Sequence, residues 1–194
     1  MARREKSPGE LPLLAWGDRL PAPGNAPRRL GWRAATIGLG IGLLALTIAV
    51  PPRPRLLWNA SASAPIGLYA VDPGASIQAG DVVVARLPDG WRTLAARRRY
   101  LPANVPLVKQ VVAVAGDQVC AVGAHVRVNG RPIVERRSTD AAGHPLPWWH
   151  GCIRLRQGQF FLLMPGNAAS FDGRYFGPIE GAQLVGKATL LWRR

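Results

Sequence analysis

Histidine, cysteine, lysine and acid are all scarce in this chain, and each scarcity closes a line of function. The 194 residues hold three histidines, two cysteines and eleven Asp or Glu against twenty-five Lys or Arg, a formal net charge of +14. His125, His144 and His150 fall in hairpin or loop contexts with no evident partner, so a histidine-based triad is not indicated. The zinc-protease pattern HExxH, the Gly-x-Ser-x-Gly elbow and Ser-x-x-Lys are all missing. Two cysteines without suitably spaced histidines make a poor zinc site, and no metal or organic cofactor is indicated. The positive charge is almost wholly arginine. Without a lysine-rich block, zinc-finger spacing or an aromatic RNA-binding strand motif, it does not point to nucleic acid. The better partner for such charge is an anionic membrane surface.

One long uncharged run is present, residues 34–50. At 1.5 Å per residue it spans roughly 26 Å, enough to cross a thin bilayer. Seven Lys or Arg precede it, from Arg3 to Arg33, whereas only Arg53 and Arg55 follow closely. The positive-inside rule then keeps the N-terminus in the cytoplasm and sends everything after Val50 across the inner membrane. A cleaved signal peptide is the rival reading. The long upstream region and the lack of a small-x-small site after the run favour an uncleaved anchor. The expected organisation is a basic disordered tail over 1–33, a transmembrane anchor over 34–50 and a periplasmic domain over 51–194. Gly38 and Gly42 form a GxxxG pair that could pack helices together. On the exported side Cys120 and Cys152 are expected to form a disulfide, worth roughly 3.5 to 4 kcal/mol by loop entropy, against the alternative of two free thiols.

Beyond the anchor the pattern is that of short strands. Candidates are 81–87, 107–115, 118–122, 125–128, 159–164 and 184–192, punctuated by Gly, Pro and Asn. Asn129-Gly130 is the strongest hairpin signal among the turns. No soluble amphipathic helix stands out, so the expected class is all-β, preceded by one transmembrane helix. Trp148-Trp149, in the loop 138–150, fits either a core pair or an anchor at headgroup level.

Lys109 sits in an almost unbroken apolar run, in a chain that otherwise uses arginine for positive charge. Arginine keeps its proton in a protein; a desolvated lysine can release it. Two readings follow: a lysine snorkelling from a strand edge to water, or a neutral amine acting as general base for a hydroxyl. Of the six serines, Ser7 precedes the membrane run, and Ser76 and Ser138 lie in ordinary polar loops. Ser61, Ser63 and Ser170 remain.

At this point four segments resemble, in order, the boxes of type I signal peptidases. They are Ser63-Ala-Pro-Ile-Gly-Leu-Tyr69, Lys109-Gln-Val-Val-Ala-Val-Ala-Gly-Asp117, Val128-Asn-Gly130 and Ser170-Phe-Asp-Gly-Arg-Tyr-Phe-Gly-Pro178. The first and last are most similar to the conjugative-transfer peptidases of the TraF type. The resemblance covers roughly residues 56–194. It implies a signal-peptidase-like catalytic domain in which Ser63 is the nucleophile, Lys109 the general base and Asp172 a residue important for activity. Ser61 and the Ser63 backbone N–H would be oxyanion donors, Ser170 would hydrogen-bond the lysine, and Arg174 would pair with Asp172 or shape the turn. The implied substrate is an exported precursor, in that branch a conjugative pilin whose new ends can be joined into a cycle. The alternatives are a general type I signal peptidase and a catalytically silent structural component of a secretion channel.

Overall fold

The computed structural model describes residues 28–49 and 55–194, so the expected tail up to residue 27 and the spacer at 50–54 lie outside the described residues. The chain divides into two units, Met1–Pro52 and Arg53–Arg194. In the first, α1 (Arg28–Ala49) contains a stretch, Gly31–Ala49, long and apolar enough to cross a membrane and with none of its side chains buried. The helix starts before the apolar run because Arg28, Arg29 and Arg33 are good helix formers. Thr36 and Thr47 return their hydroxyls to carbonyls one turn back, at 2.9 and 2.8 Å, so the run carries no unsatisfied side-chain donor.

The second unit is mostly β. In chain order it contains β1 (Leu56–Asn59), β2 (Gly67–Asp72), β3 (Val82–Ala85), α2 (Asp89–Arg97), β4 (Leu107–Ala113) and β5 (Gln118–Val122). There follow β6 (His125–Val128), β7 (Arg131–Glu135), β8 (Gly151–Arg154), β9 (Gln159–Leu163), α3 (Gly173–Phe176), β10 (Ile179–Glu180) and β11 (Leu184–Arg193). A seven-stranded sheet runs β1-β2-β11-β3-β4-β9-β10, and a four-stranded sheet runs β7-β6-β5-β8; every pairing is antiparallel. Alternation places Tyr69 and Val71 of β2 inside, and Val83, Val111 and Leu162 meet in a core on the β3, β4 and β9 strands.

Local chemistry explains the turns and contacts that fix this topology. Asn129 and Gly130 both have positive φ, 49° and 80°, the requirement of a type I′ hairpin, and Arg131 returns opposite Val128. Gly67 is forced by proximity: a Cβ there would lie 2.0 Å from the Trp192 carbonyl oxygen of β11. Cys120 and Cys152 face each other across β5 and β8 and are disulfide-bonded.

One reading of the sequence is corrected here, and two that it left open are decided. Helix α2 was hidden by its arginines; Trp91 and Ala95, four residues apart, face the core, Ala95 is buried, and Asp89 stabilises the N-terminal turn. Lys109 is not at a sheet edge, because β4 is flanked by β3 and β9. The tryptophan pair belongs to the protein interior and its rim. The Trp149 indole donates to the Gly173 carbonyl at 3.0 Å and packs edge-on against Phe161, while Trp148 donates to Arg137 and lies under the Arg136 guanidinium.

Candidate active site

Strand β4 carries Lys109 directly opposite Val83, with Val108 and Val111 also buried beside it. Only 2% of the residue is exposed. Its Nζ lies 2.8 Å from Ser63 Oγ and 2.8 Å from Ser170 Oγ. Burial lowers its pKa from 10.5 to about 8; the Asp172 charge opposes that fall and the Arg174 charge assists it. A neutral amine fits this geometry. Its lone pair accepts from the Ser63 hydroxyl, and one N–H donates to Ser170 Oγ.

The turn that carries Ser63 lies between β1 and β2. Asn59, the last residue of β1, is buried, and its amide nitrogen donates to the carbonyls of Ser61, Ala64 and Pro65 at 3.0, 3.2 and 3.0 Å. Its carbonyl oxygen accepts from the Ser61 N–H at 3.1 Å. The Tyr69 hydroxyl adds a second bond to Pro65 O at 2.8 Å. Ser61 Oγ lies 2.9 Å from Ser63 Oγ and accepts the Ser63 N–H over 3.3 Å, a long bond that an incoming acceptor can displace. The expected pair of oxyanion donors is therefore gathered beside the half-buried Ser63.

Ser170, Asp172 and Arg174 are all buried on the far side of the lysine. Asp172 was grouped with Ser63 and Lys109 as catalytic, but its carboxylate is used elsewhere. Oδ1 accepts from Arg174 Nε at 2.7 Å and Arg174 N at 3.2 Å; Oδ2 accepts from Arg174 Nη2 at 3.0 Å and Met164 N at 3.1 Å. Among the described residues no carboxylate forms an ion pair with Lys109. Arg174 in turn donates from Nη2 to the carbonyls of Met164 and Asn167, each at 3.1 Å. The pair thus freezes the loop that presents Ser170, whose own N–H donates to Asn167 O at 3.2 Å. Gly173 is obligatory in that box because a Cβ would come within 2.7 Å of the Leu162 carbonyl oxygen.

The hydroxyls and the amine open onto a cavity of about 680 Å³ whose walls include Leu57, Leu101, Val105, Leu146 and Phe171. A cavity of this size and apolar character suits an extended peptide segment. Asp140, also at this cavity, accepts from the Tyr100 hydroxyl and holds His144 Nδ1 at 2.9 Å; the Tyr100 bond is the main cause of its carboxyl lying well below the usual range. His125 approaches Glu135 at 3.5 Å, so two of the histidines do have acidic partners. Neither is hydrogen-bonded to a serine among the described residues, and no three His, Cys, Asp or Glu gather there in a metal-binding group.

All six residues singled out from the sequence, Ser61, Ser63, Lys109, Ser170, Asp172 and Arg174, thus converge on one site. Asn59 and Asn167 were missed. Both are asparagines with local side-chain bonds to backbone, a habit that makes them read as ordinary turn formers, although Asn167 also reaches the distant Ala62 carbonyl.

The sequence profile of the family described as signal peptidase, peptidase S26, matches residues 29–193. The plasmid transfer protein TraF of Escherichia coli is 34% identical over 136 residues, covering 65% of this chain and 76% of the relative. A probable conjugal transfer protein TraF of Sinorhizobium fredii is 34% identical over 166 residues, covering 76% and 86%. Signal peptidase I V of Bacillus subtilis is 27% identical over 95 residues, covering 44% and 56%. Among solved structures, a signal peptidase I from Enterococcus faecalis aligns with 59% of this chain and 98% of its own at 17% identity, with a TM-score of 0.35.

Proposed function

The chain belongs to the signal peptidase family, peptidase S26, and from that premise we propose that it is a membrane-anchored serine endopeptidase maturing an exported precursor, a conjugative pilin. The observation that carries the reading is the buried Lys109 amine standing 2.8 Å from the Ser63 hydroxyl at the floor of a peptide-sized cavity. In this mechanism the Lys109 lone pair takes the Ser63 proton as Oγ bonds to the scissile carbonyl carbon. Ser61 O–H and Ser63 N–H then receive the negative oxygen. The Lys109 ammonium passes its proton to the departing amine as the C–N bond breaks, leaving an ester on Ser63. A water, or an amine of the substrate's own chain, loses a proton to Lys109 and attacks that ester, and the ammonium returns the proton to Ser63 Oγ as the ester bond breaks. Ser170 holds the lysine in line, and Asp172 with Arg174 holds the loop bearing Ser170.

The membrane reading rests on the apolar stretch Gly31–Ala49 and on the excess of positive charge before it, which supports a cytoplasmic tail and a periplasmic catalytic unit. One sheet face of the catalytic unit supports contact with lipid. Trp58, Leu68 and Trp192 lie in one row across β1, β2 and β11, with the two indoles 5.6 Å apart and largely exposed beside Leu56 and Leu191.

The test is processing in detergent micelles of a conjugative pilin precursor and of a generic secretory precursor. Cleavage of the pilin precursor by the wild type, and by neither Ser63→Ala nor Lys109→Met, is the expected result. Efficient cleavage of the secretory precursor alone would make the chain a general signal peptidase. Unchanged processing by both variants would remove the Ser/Lys assignment altogether.

A further inference from the structure

Peptide groups carry their C=O and N–H on opposite edges, so whatever holds a carbonyl also aims the amide behind it. The Ser63 N–H belongs to the peptide that begins at the Ala62 carbonyl. That carbonyl accepts a hydrogen bond from Asn167 Nδ2 at 3.2 Å, across 105 residues of sequence. The other end of the Asn167 amide is also occupied: Oδ1 accepts the Ala169 N–H at 2.8 Å. Asn167 therefore links the loop of Ser170 to the turn of Ser63 through one planar side chain. Its backbone carbonyl is held by both Ser170 N–H and Arg174, so the side chain projects from a fixed base. Asn59 grips the neighbouring carbonyls of Ser61, Ala64 and Pro65 from beneath, leaving the Ala62–Ser63 peptide as the one whose orientation Asn167 decides.

We propose that Asn167 is a positioning residue for acylation: its amide fixes and polarises the Ala62–Ser63 peptide so that the Ser63 N–H faces the negative oxygen formed during attack. A donor on the carbonyl strengthens the N–H of the same peptide, because hydrogen bonds in a chain polarise one another. The inference rests on the Ser/Lys endopeptidase reading, and it extends the site to a residue that touches neither nucleophile nor base.

Asn167→Asp separates this role from a merely structural one. It keeps an oxygen for the Ala169 N–H, and so keeps the loop, but replaces the donor with a second acceptor facing Ala62 O. A new charge near Lys109 also shifts the pH profile, so rates are compared on the alkaline plateau, using whichever precursor the wild type cleaves. Expected is a fall in plateau kcat of about ten- to a hundredfold, the scale of a small misplacement of catalytic groups, with KM within about twofold. The Ser63 amide resonance, read by NMR, is expected to move upfield in Asn167→Asp and to stay in place in a control, Lys187→Ala, whether or not any precursor turns over. An unmoved Ser63 amide, or an unchanged plateau kcat, overturns the proposal. Failure of the underlying reading looks different: Ser63→Ala would then cleave as fast as the wild type.

Discussion

Lys109 and Lys187 lie in one row of the seven-stranded sheet, each opposite Val83 and one on either side of it. Two strand spacings, roughly 10 Å, separate their backbones. Their side chains nevertheless meet opposite fates. Lys187 stays partly in water and pairs with Asp81 at 2.8 Å, drawing the Asp81 carboxyl below its usual range chiefly through that bond. Lys109 is closed off from water and given two hydroxyls instead of a carboxylate. A hydroxyl can serve a neutral amine as well as an ammonium, whereas a carboxylate holds the proton on. Strand position alone does not make a lysine a base; the partners at the tip of its side chain do.

The largest effect expected from breaking this contrast is on the rate. Lys109→Met fills the site with a similar volume and no lone pair, and kcat should fall by about 10⁴-fold or more, the upper range for a general base. Ser63→Ala should fall as far, and the double variant no further, since the two act as a unit. Single-turnover cleavage measurements decide it; a Lys109→Met enzyme within about a hundredfold of wild type would mean that the proton goes elsewhere.

Next in size is the cost of breaking the one ion pair that is fully buried among the described residues. Asp172 and Arg174 are at most 1% exposed, so Asp172→Asn leaves a guanidinium without its counter-charge and should cost about 3 to 5 kcal/mol in denaturant unfolding. Loss of the Asp172 charge also removes an influence that holds the Lys109 proton on. The amine of any folded Asp172→Asn enzyme should therefore titrate below that of wild type, even though the Ser170 loop is loosened. A pH–rate profile separates the two consequences.

The site was more legible in the sequence than the fold that builds it. Lys109 stood out because a charge in an apolar run has few physical excuses, and Ser63 and Ser170 because they remained once the other serines lost their case. The long strand near 107–113 showed through its β-branched residues, that near 184–193 through its apolar content, and the hairpin through Asn129-Gly130. The short edge strands did not. β1 offers four residues, only one of them fully buried, and β8 has none, so alternation had nothing to mark. Helix α2 was masked by its arginines. Asn167 could not be read because its partner, the Ala62 carbonyl, lies 105 residues away and is brought to it only by the folded chain. The pairing of Asp172 with Arg174 was legible from the resemblance; that the pair also ties down the backbone of Met164 and Asn167 was not, because those groups meet it only in the folded chain.

A third effect concerns stability and fixes its sign from Lys109 alone. Its pKa is lower in the folded protein, about 8, than the 10.5 of an unburied lysine. Between those values the unfolded chain binds the proton and the folded one does not, so stability rises with pH across the window. The rise, at about 1.4 kcal/mol per pKa unit, comes to about 3 kcal/mol, fully gained above 10.5 and lost as pH falls through 8. Lys109→Met lacks this dependence. Its stability relative to wild type should therefore be greatest near pH 7 and should shrink by about 3 kcal/mol towards pH 10.5. Parallel curves for the two proteins would mean that the amine is as protonated in the fold as in the open chain.

The smallest effect is the one that sharpens the comparison most. Lys187→Arg keeps a cation beside Asp81 on a partly solvated side chain and should change neither Tm nor kcat measurably. Lys187→Ala should cost no more than about 1 kcal/mol, as exposed ion pairs do, with processing intact. Lys109→Arg makes the same chemical exchange two strands away and should abolish processing, because a guanidinium cannot give up its proton at any working pH. Its added bulk and permanent charge, on a residue 2% exposed and with no carboxylate paired to it, should lower Tm as well. One substitution, silent on one side of Val83 and disabling on the other, would separate the need for positive charge from the need for a releasable proton. Equal tolerance at both positions would leave Lys109 no reason to be lysine.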